Sequence, residues 1–196
     1  MTKVNLNADM AEGFGAYDIG DDMAMLKIVG SANVACGFHG GDANVMDRVV
    51  GTAKAEGVSI GAHPGFNDLW GFGRRRITMA PREVEAMIAY QIGALQAMAA
   101  LHGMTVTHMK PHGALNNMAS EDRDLAEAIV RATKAVDPAI ILLATTGSEL
   151  MKAGVTLDVP TASEVFADRT YDAKGSLTSR KRDDAMIRDP GQAVEH

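Results

Sequence analysis

The feature that most limits how this chain can fold is a regular alternation. Short β-rich apolar runs, each ending in polar or glycine residues, are separated by longer stretches with helical periodicity. The runs cover residues 4–6, 32–36, 58–62, 106–109, 140–144 and 162–166. Between them, 44–56 places Val45, Val49 and Ala53 on one face, and 81–101 repeats Val84, Met87, Ile88, Leu95 and Met98 at helical spacing after a first-turn Pro81. The stretch 120–136 turns Leu125, Ala128, Ile129 and Ala132 inward behind a Ser-Glu-Asp cap. Strands joined by helical crossovers form a parallel sheet, and such crossovers are right-handed in about 98% of cases, so the chain winds into an open doubly wound sheet or a (β/α) barrel.

The positions of the polar residues favour the barrel. Asn7, Asp9 and Glu12 follow the first run, His39 and Asp42 the second, and His63, Asn67 and Asp68 the third. Lys110, His112 and Asn116 follow the fourth, Ser148 and Glu149 the fifth, and Glu164, Asp168 and Arg169 end the sixth. A barrel gathers all its strand ends around one mouth, whereas an open sheet leaves the outer ends far from its switch point. The expected unit is one domain over 1–196. Six strands leave a barrel open, and Asp189-Pro190 looks like the start of another helix, so a C-terminal part is expected to be missing.

These rim residues carry the candidate chemistry. Asp9 and Glu12 are paired carboxylates suited to acid/base work, metal binding or a turn cap. His39 and His63 each sit in a run of small residue, His, glycine and Asp, where the glycines permit close backbone approach. With Asp9 they would make a three-ligand divalent metal site with an open position; without metal they are acid/base groups, and the spacing does not choose between the two. Strand alternation puts Lys110 and His112 on one face, with His108 deeper. Lys110 either holds a substrate carboxylate or oxyanion, or pairs with Glu164 or Asp9, and His112 is suited to proton transfer. Arg74, within Gly71-Phe72-Gly73-Arg74-Arg75-Arg76, reaches an anion or belongs to a solvated charge run. Among Glu164, Asp168 and Arg169 there is either a base with a carboxylate-binding arginine or an ion pair closing the rim. Cys36, the single cysteine, reads as a core residue, and His102 and His196 receive no role.

Composition removes other classes. Lys plus Arg is 19 against Asp plus Glu 25, a formal charge of -6, which gives no basic footprint for nucleic acid or an anionic membrane. No uninterrupted apolar run approaches the roughly 18 residues of a membrane span. One cysteine and an N-terminus without a signal-peptide pattern fit a cytoplasmic protein. Common nucleotide-binding loops and the Gly-x-Ser-x-Gly elbow do not occur.

At these clusters the chain resembles the LamB/YcsF family. The matching segments are Asn7-Ala8-Asp9 with Glu12-Gly13-Phe14-Gly15, Ser31-Ala32-Asn33-Val34-Ala35-Cys36-Gly37-Phe38-His39, Gly61-Ala62-His63-Pro64-Gly65-Phe66 with Asp68, and Gly71-Phe72-Gly73-Arg74-Arg75. Gln91-Ile92-Gly93-Ala94-Leu95, Lys110-Pro111-His112-Gly113-Ala114-Leu115 and Ser163-Glu164-Val165-Phe166-Ala167-Asp168-Arg169 complete the set. The resemblance implies a seven-stranded barrel similar to polysaccharide deacetylases, and a role as the A-type subunit of an ATP-dependent 5-oxoprolinase that works with two partner subunits. It implies that 5-oxoproline, ATP and water give glutamate, ADP and phosphate, with ATP handled largely with the partners. Under it Asp9, Glu12, His39, His63, Lys110 and His112 lie nearest the chemistry, and Arg74, Asn116, Glu164, Asp168 and Arg169 contact substrate. The chain departs from the family pattern at Ala8, Ala11, Gly13, Gly40 and Asn116, the last usually Tyr, and family members continue for roughly a further quarter of their length. Two other readings stand beside this one: a stand-alone metal-dependent deacetylase or amidohydrolase, and a non-catalytic subunit that binds a small acid. Self-association of the chain is also open.

Overall fold

The structure, a computed structural model, describes residues 4–173, 175, 177–178 and 182–195; His196 lies outside them. Its centre is a six-stranded parallel sheet in simple sequence order, β1 (Asn7–Met10), β2 (Ser31–Ala35), β3 (Ser59–His63), β4 (Val106–Met109), β5 (Ile141–Thr145) and β6 (Thr161–Glu164). Sequential order with helical crossovers curls the sheet into a partial barrel, and among the described residues β6 does not pair with β1. The helices are α1 (Asp22–Met25), α2 (Ala43–Glu56), α3 (Pro81–Leu101), α4 (Gly113–Glu121), α5 (Arg123–Val136), α6 (Glu149–Thr156) and α7 (Pro190–Glu195).

The core lies between sheet and helices, where Val34, Ile60, Ala62 and Leu142 of the strands meet Val49, Ile88, Leu95 and Ile129 of the helices, all fully buried. Burying each such Val, Ile or Leu side chain is worth about 1.5–3 kcal/mol before entropy is counted. Helix α3 is long and apolar enough by length and composition to cross a membrane, with mean hydropathy 1.3, which the search for an uninterrupted apolar run does not reveal. Here it buries Val84, Ile88, Ile92 and Leu95 and also the polar Gln91, whose amide donates to Gly65 O at 2.9 Å.

Several expected boundaries shift. The first strand begins at Asn7 rather than within 4–6: Val4 and Leu6 are exposed, and the ladder pairs Asn7 with Ser31 and Asp9 with Asn33. Asn7 and Asp9 therefore lie on the strand itself. The stretch expected as one helix over 120–136 is two helices with Asp122 between them. Its N–H donates to Met118 O, closing α4, while its carboxylate accepts from Leu125 N at 3.1 Å and opens α5. Asp42 and Ser148, expected at the rim, are N-caps, Asp42 accepting from Asn44 N and Val45 N and Ser148 from Met151 N. Asp189 accepts from Gln192 N at the start of α7, as its sequence suggested.

Candidate functional site

The strand register builds the site in layers. Asp9, Asn33, Gly61 and His108 are successive neighbours across β1 to β4. Gly61 is required there, because a Cβ would stand 2.1 Å from the His108 ring. Asn33 is fully buried and connects the layer: its Nδ2 donates to Asp9 Oδ1 at 2.9 Å and to Asn7 Oδ1 at 2.6 Å, while its Oδ1 accepts from His108 Nε2 at 3.0 Å.

One step nearer the mouth, the strand ends and following loops bring the candidate residues together. Lys110 Nζ lies 3.1 Å from Asp9 Oδ1 and 2.8 Å from Glu164 Oε1, so this buried cation joins β1 to β6 across the barrel. His63 Nε2 lies 3.3 Å from Asp9 Oδ2 and 3.0 Å from His112 Nδ1. Glu12 Oε1 sits 3.1 Å from His39 Nε2 and 3.3 Å from His112 Nδ1. The His39 and His112 rings stack at 3.6 Å with 3° between their planes. His112 is not on β4, as strand alternation suggested, but is the N-cap of α4.

Hydrogen bonds to carbonyls determine the tautomers. His63 Nδ1–H donates to Lys110 O at 2.7 Å and His112 Nε2–H donates to Phe72 O at 2.8 Å. The facing atoms, His63 Nε2 and His112 Nδ1, can then share one proton. Electrostatics assign it to His63: burial opposes the charge, but Asp9 and Glu12 outweigh it and raise the imidazole above its ordinary value. His112, buried and next to His63 and His39, is lowered to about 3, and His39, buried and next to His63, to about 2. Burial would raise Asp9, but His63, Lys110 and Asn33 hold it well below the usual carboxylate range. Glu12 is raised, burial outweighing His63 and His112. Lys110 is raised, Asp9 and Glu164 overcoming its burial. The cluster thus favours the ionised form of Asp9, the protonated form of His63 and the neutral forms of His39 and His112, with the Glu12 carboxyl held above its ordinary value.

For a metal, the donor set is Glu12, His39, His63 and His112, whose ligand atoms all lie within 4.8 Å of one another. Asp9, expected in that set with His39 and His63, instead spends Oδ1 on Lys110 and Asn33. His63 and His112 fit a metal well, since each gives its other ring N–H to a carbonyl. The buried Nδ1 of His39 has no hydrogen-bond partner among the described residues.

A cavity of about 600 Å³ opens above this cluster, with Asp9, His63, Lys110 and His112 among the residues lining it. Arg74, stacked over the Phe72 ring, Asn116 of α4 and Arg169 also line it. Arg169 donates from Nε to Ala185 O and from its terminal nitrogen to Thr178 O, securing the segment after β6. Asp168 is exposed and lies outside the cavity. Arg75 turns away to pair with Asp68, and Arg76 lies 3.7 Å from Glu121. Cys36 is buried, its thiol pushed up to about 12, as a core residue's would be. Asn33 is the residue that motif reading missed; its signal is an amide in the middle of a fully buried strand, where a buried polar group must find partners.

The chain is 53% identical over 194 residues to the A-type subunit of 5-oxoprolinase from Rhodopseudomonas palustris, covering 98% of this chain and 76% of the relative. It is 50% identical over 192 residues to the corresponding 5-oxoprolinase subunit from Staphylococcus carnosus, again covering 98% and 76%. Its fold superposes on the crystal structure of a lactam utilization protein from Thermus thermophilus with a TM-score of 0.95 at 43% identity, covering 99% of this chain and 78% of that one. The family model described as LamB/YcsF family matches residues 4–196, and the chain belongs to that family.

Proposed function

We propose that this chain is the A-type subunit of an ATP-dependent 5-oxoprolinase, a hydrolase that opens the cyclic amide of 5-oxoproline to glutamate with release of ADP and phosphate. The observation that carries the reading is the Asp9–Glu12–His39–His63–Lys110–His112 cluster beneath a cavity, in a chain whose relatives are named for this activity. The chain acts as one (β/α) barrel unit in this proposal, supported by a continuous core whose residues run from Met10 to Val159.

An amide is a poor electrophile, and ATP supplies the activation. In this reading the amide oxygen takes the terminal phosphoryl group and ADP leaves, with ATP held largely by partner subunits. Water then adds to the carbon as Glu12 or His112 Nδ1 takes its proton. The protonated His63, oriented by Asp9, returns a proton to the ring nitrogen, which departs as the amine. A second water cleaves the resulting acyl phosphate, giving phosphate and the new carboxylate. Were a divalent ion held by Glu12, His39, His63 and His112, it would lower the pKa of a bound water. Two partner subunits and a cytoplasmic setting complete the proposal, in keeping with ATP as co-substrate and the buried Cys36 thiol.

The test is glutamate release from 5-oxoproline with ATP, the chain being combined with its partner subunits. His63→Ala and His112→Ala are each expected to cut turnover roughly 10²–10⁴-fold, the usual range for losing acid/base catalysis. Full turnover in both variants refutes the assignment. The four-donor cluster favours one second reading, a stand-alone metal-dependent amidohydrolase. A stoichiometric divalent ion together with ATP-independent hydrolysis would establish that instead.

A further inference from the structure

Thr145 ends β5 and is in register with Glu164 of β6. Register partners in a parallel pair project to the same face. Because the Glu164 carboxylate meets Lys110 inside the barrel mouth, the Thr145 side chain is directed there as well. Thr145 is 7% exposed, lines the cavity, and its Oγ1 has no hydrogen-bond partner among the described residues. A buried hydroxyl is a donor that native structures normally satisfy, and none of the proton-transfer steps above uses this one.

The backbone that follows adds a second element. The chain turns through Gly147, at φ +79, to Ser148, the N-cap of the eight-residue α6, and both residues line the same cavity. Gly113 and Ala114, at the start of α4, line it too, and the cap residue of that helix makes no side-chain cap bond. Helix N-termini favour anions. Meanwhile Lys110, the cation that the sequence offers for an acid group, is already held by both Asp9 and Glu164.

Resting on the lactam reading above, we propose that the Thr145 hydroxyl, with the Gly147–Ser148 turn, is the subsite for the substrate carboxylate. The hydroxyl donates to a carboxylate oxygen while the head of α6 favours its charge. Thr145 thereby selects cyclic amides that carry an acid group over those that do not.

The test is calorimetric binding to this chain with three probes: 5-oxoproline, 2-pyrrolidinone, which is the same ring without the carboxylate, and inorganic phosphate. Thr145→Val keeps the shape and removes the donor. It should weaken 5-oxoproline about tenfold, the scale of one hydrogen bond to a charged group, and leave 2-pyrrolidinone unchanged. Thr145→Ser should restore wild-type affinity for 5-oxoproline, and far-UV melts confirm that both variants are folded. Unchanged affinity of Thr145→Val for 5-oxoproline, or equal weakening of both lactams, overturns the proposal. Loss of phosphate binding with 5-oxoproline intact also overturns it, by reassigning the hydroxyl to a phosphoryl group. If the wild-type chain binds neither lactam, the lactam reading itself fails and this subsite fails with it, a result distinct from any variant-specific outcome.

Discussion

Asn33 determines how Asp9 meets its partners. With its Oδ1 committed to His108, the amide must present N–H to Asp9, a bond that stabilises the ionised carboxylate. Asn33→Ala is expected to raise the Asp9 pKa, shift the acid limb of the pH–rate profile upward, and cost about 1–3 kcal/mol by removing the partner of His108 Nε2 and of Asn7 Oδ1. A profile and a urea midpoint matching wild type would show the amide to be idle. The same cluster sets the pH dependence of stability. The folded pKa of Asp9 is depressed, so its contribution is complete above the unfolded value of about 3.9 and is lost as pH falls through the lower folded value. His63 works in the opposite sense. Its folded pKa is raised, so its contribution is complete below the unfolded value of about 6.5 and fades as pH rises through the folded one. Thermal melts with chelator present should fall on both sides of this window, and Asp9→Asn should flatten both limbs. Residue chemistry was legible where histidines and acids stood out. Asn33 and Thr145 were not, because an amide or hydroxyl inside a strand acquires meaning only from its neighbours in register.

At the scale of elements, Asp42 shows how a rim acid can be structural. Its carboxylate caps α2 and also accepts from Gly15 N at 2.7 Å, joining the loop after β1 to the helix. Asp42→Ala is expected to lower stability by about 1–2 kcal/mol, the upper part of the N-cap range, with turnover per folded molecule retained. Denaturant melts and active-site titration separate the two effects; lost turnover at full folding would give Asp42 a role in the chemistry. Helices α2 and α3 were legible because their apolar residues keep strict helical spacing. Helix α4 was hidden by Gly113, Asn116 and Asn117, which are weak helix formers, and its formation depends on packing. β1 was misplaced for a related reason. Its inward residues are Asn7 and Asp9, so hydrophobicity pointed to Val4 and Leu6 instead.

The whole molecule presents two sheet edges, β1 and β6, that do not pair with each other among the described residues. Leu6 and Val165, next to those edges, are 54% and 75% exposed. Unpaired edges with apolar flanks template further pairing, so sedimentation velocity on this chain should show concentration-dependent self-association. Leu6→Lys combined with Val165→Lys should suppress it, and a monomer at every concentration would refute the expectation. The sequence by itself determined the alternation of strand and helix, and with it a parallel barrel whose polar residues collect at one mouth, because periodicity and strand polarity are local properties of the chain. Only the tertiary structure decided which groups meet there. Lys110 lies between Asp9 and Glu164, and His63 Nε2 faces His112 Nδ1, because the register of β1 to β6 and the start of α4 bring together residues as far apart in sequence as Asp9 and Glu164. Their protonation is in turn a property of that proximity and of burial, neither of which is encoded in any single segment.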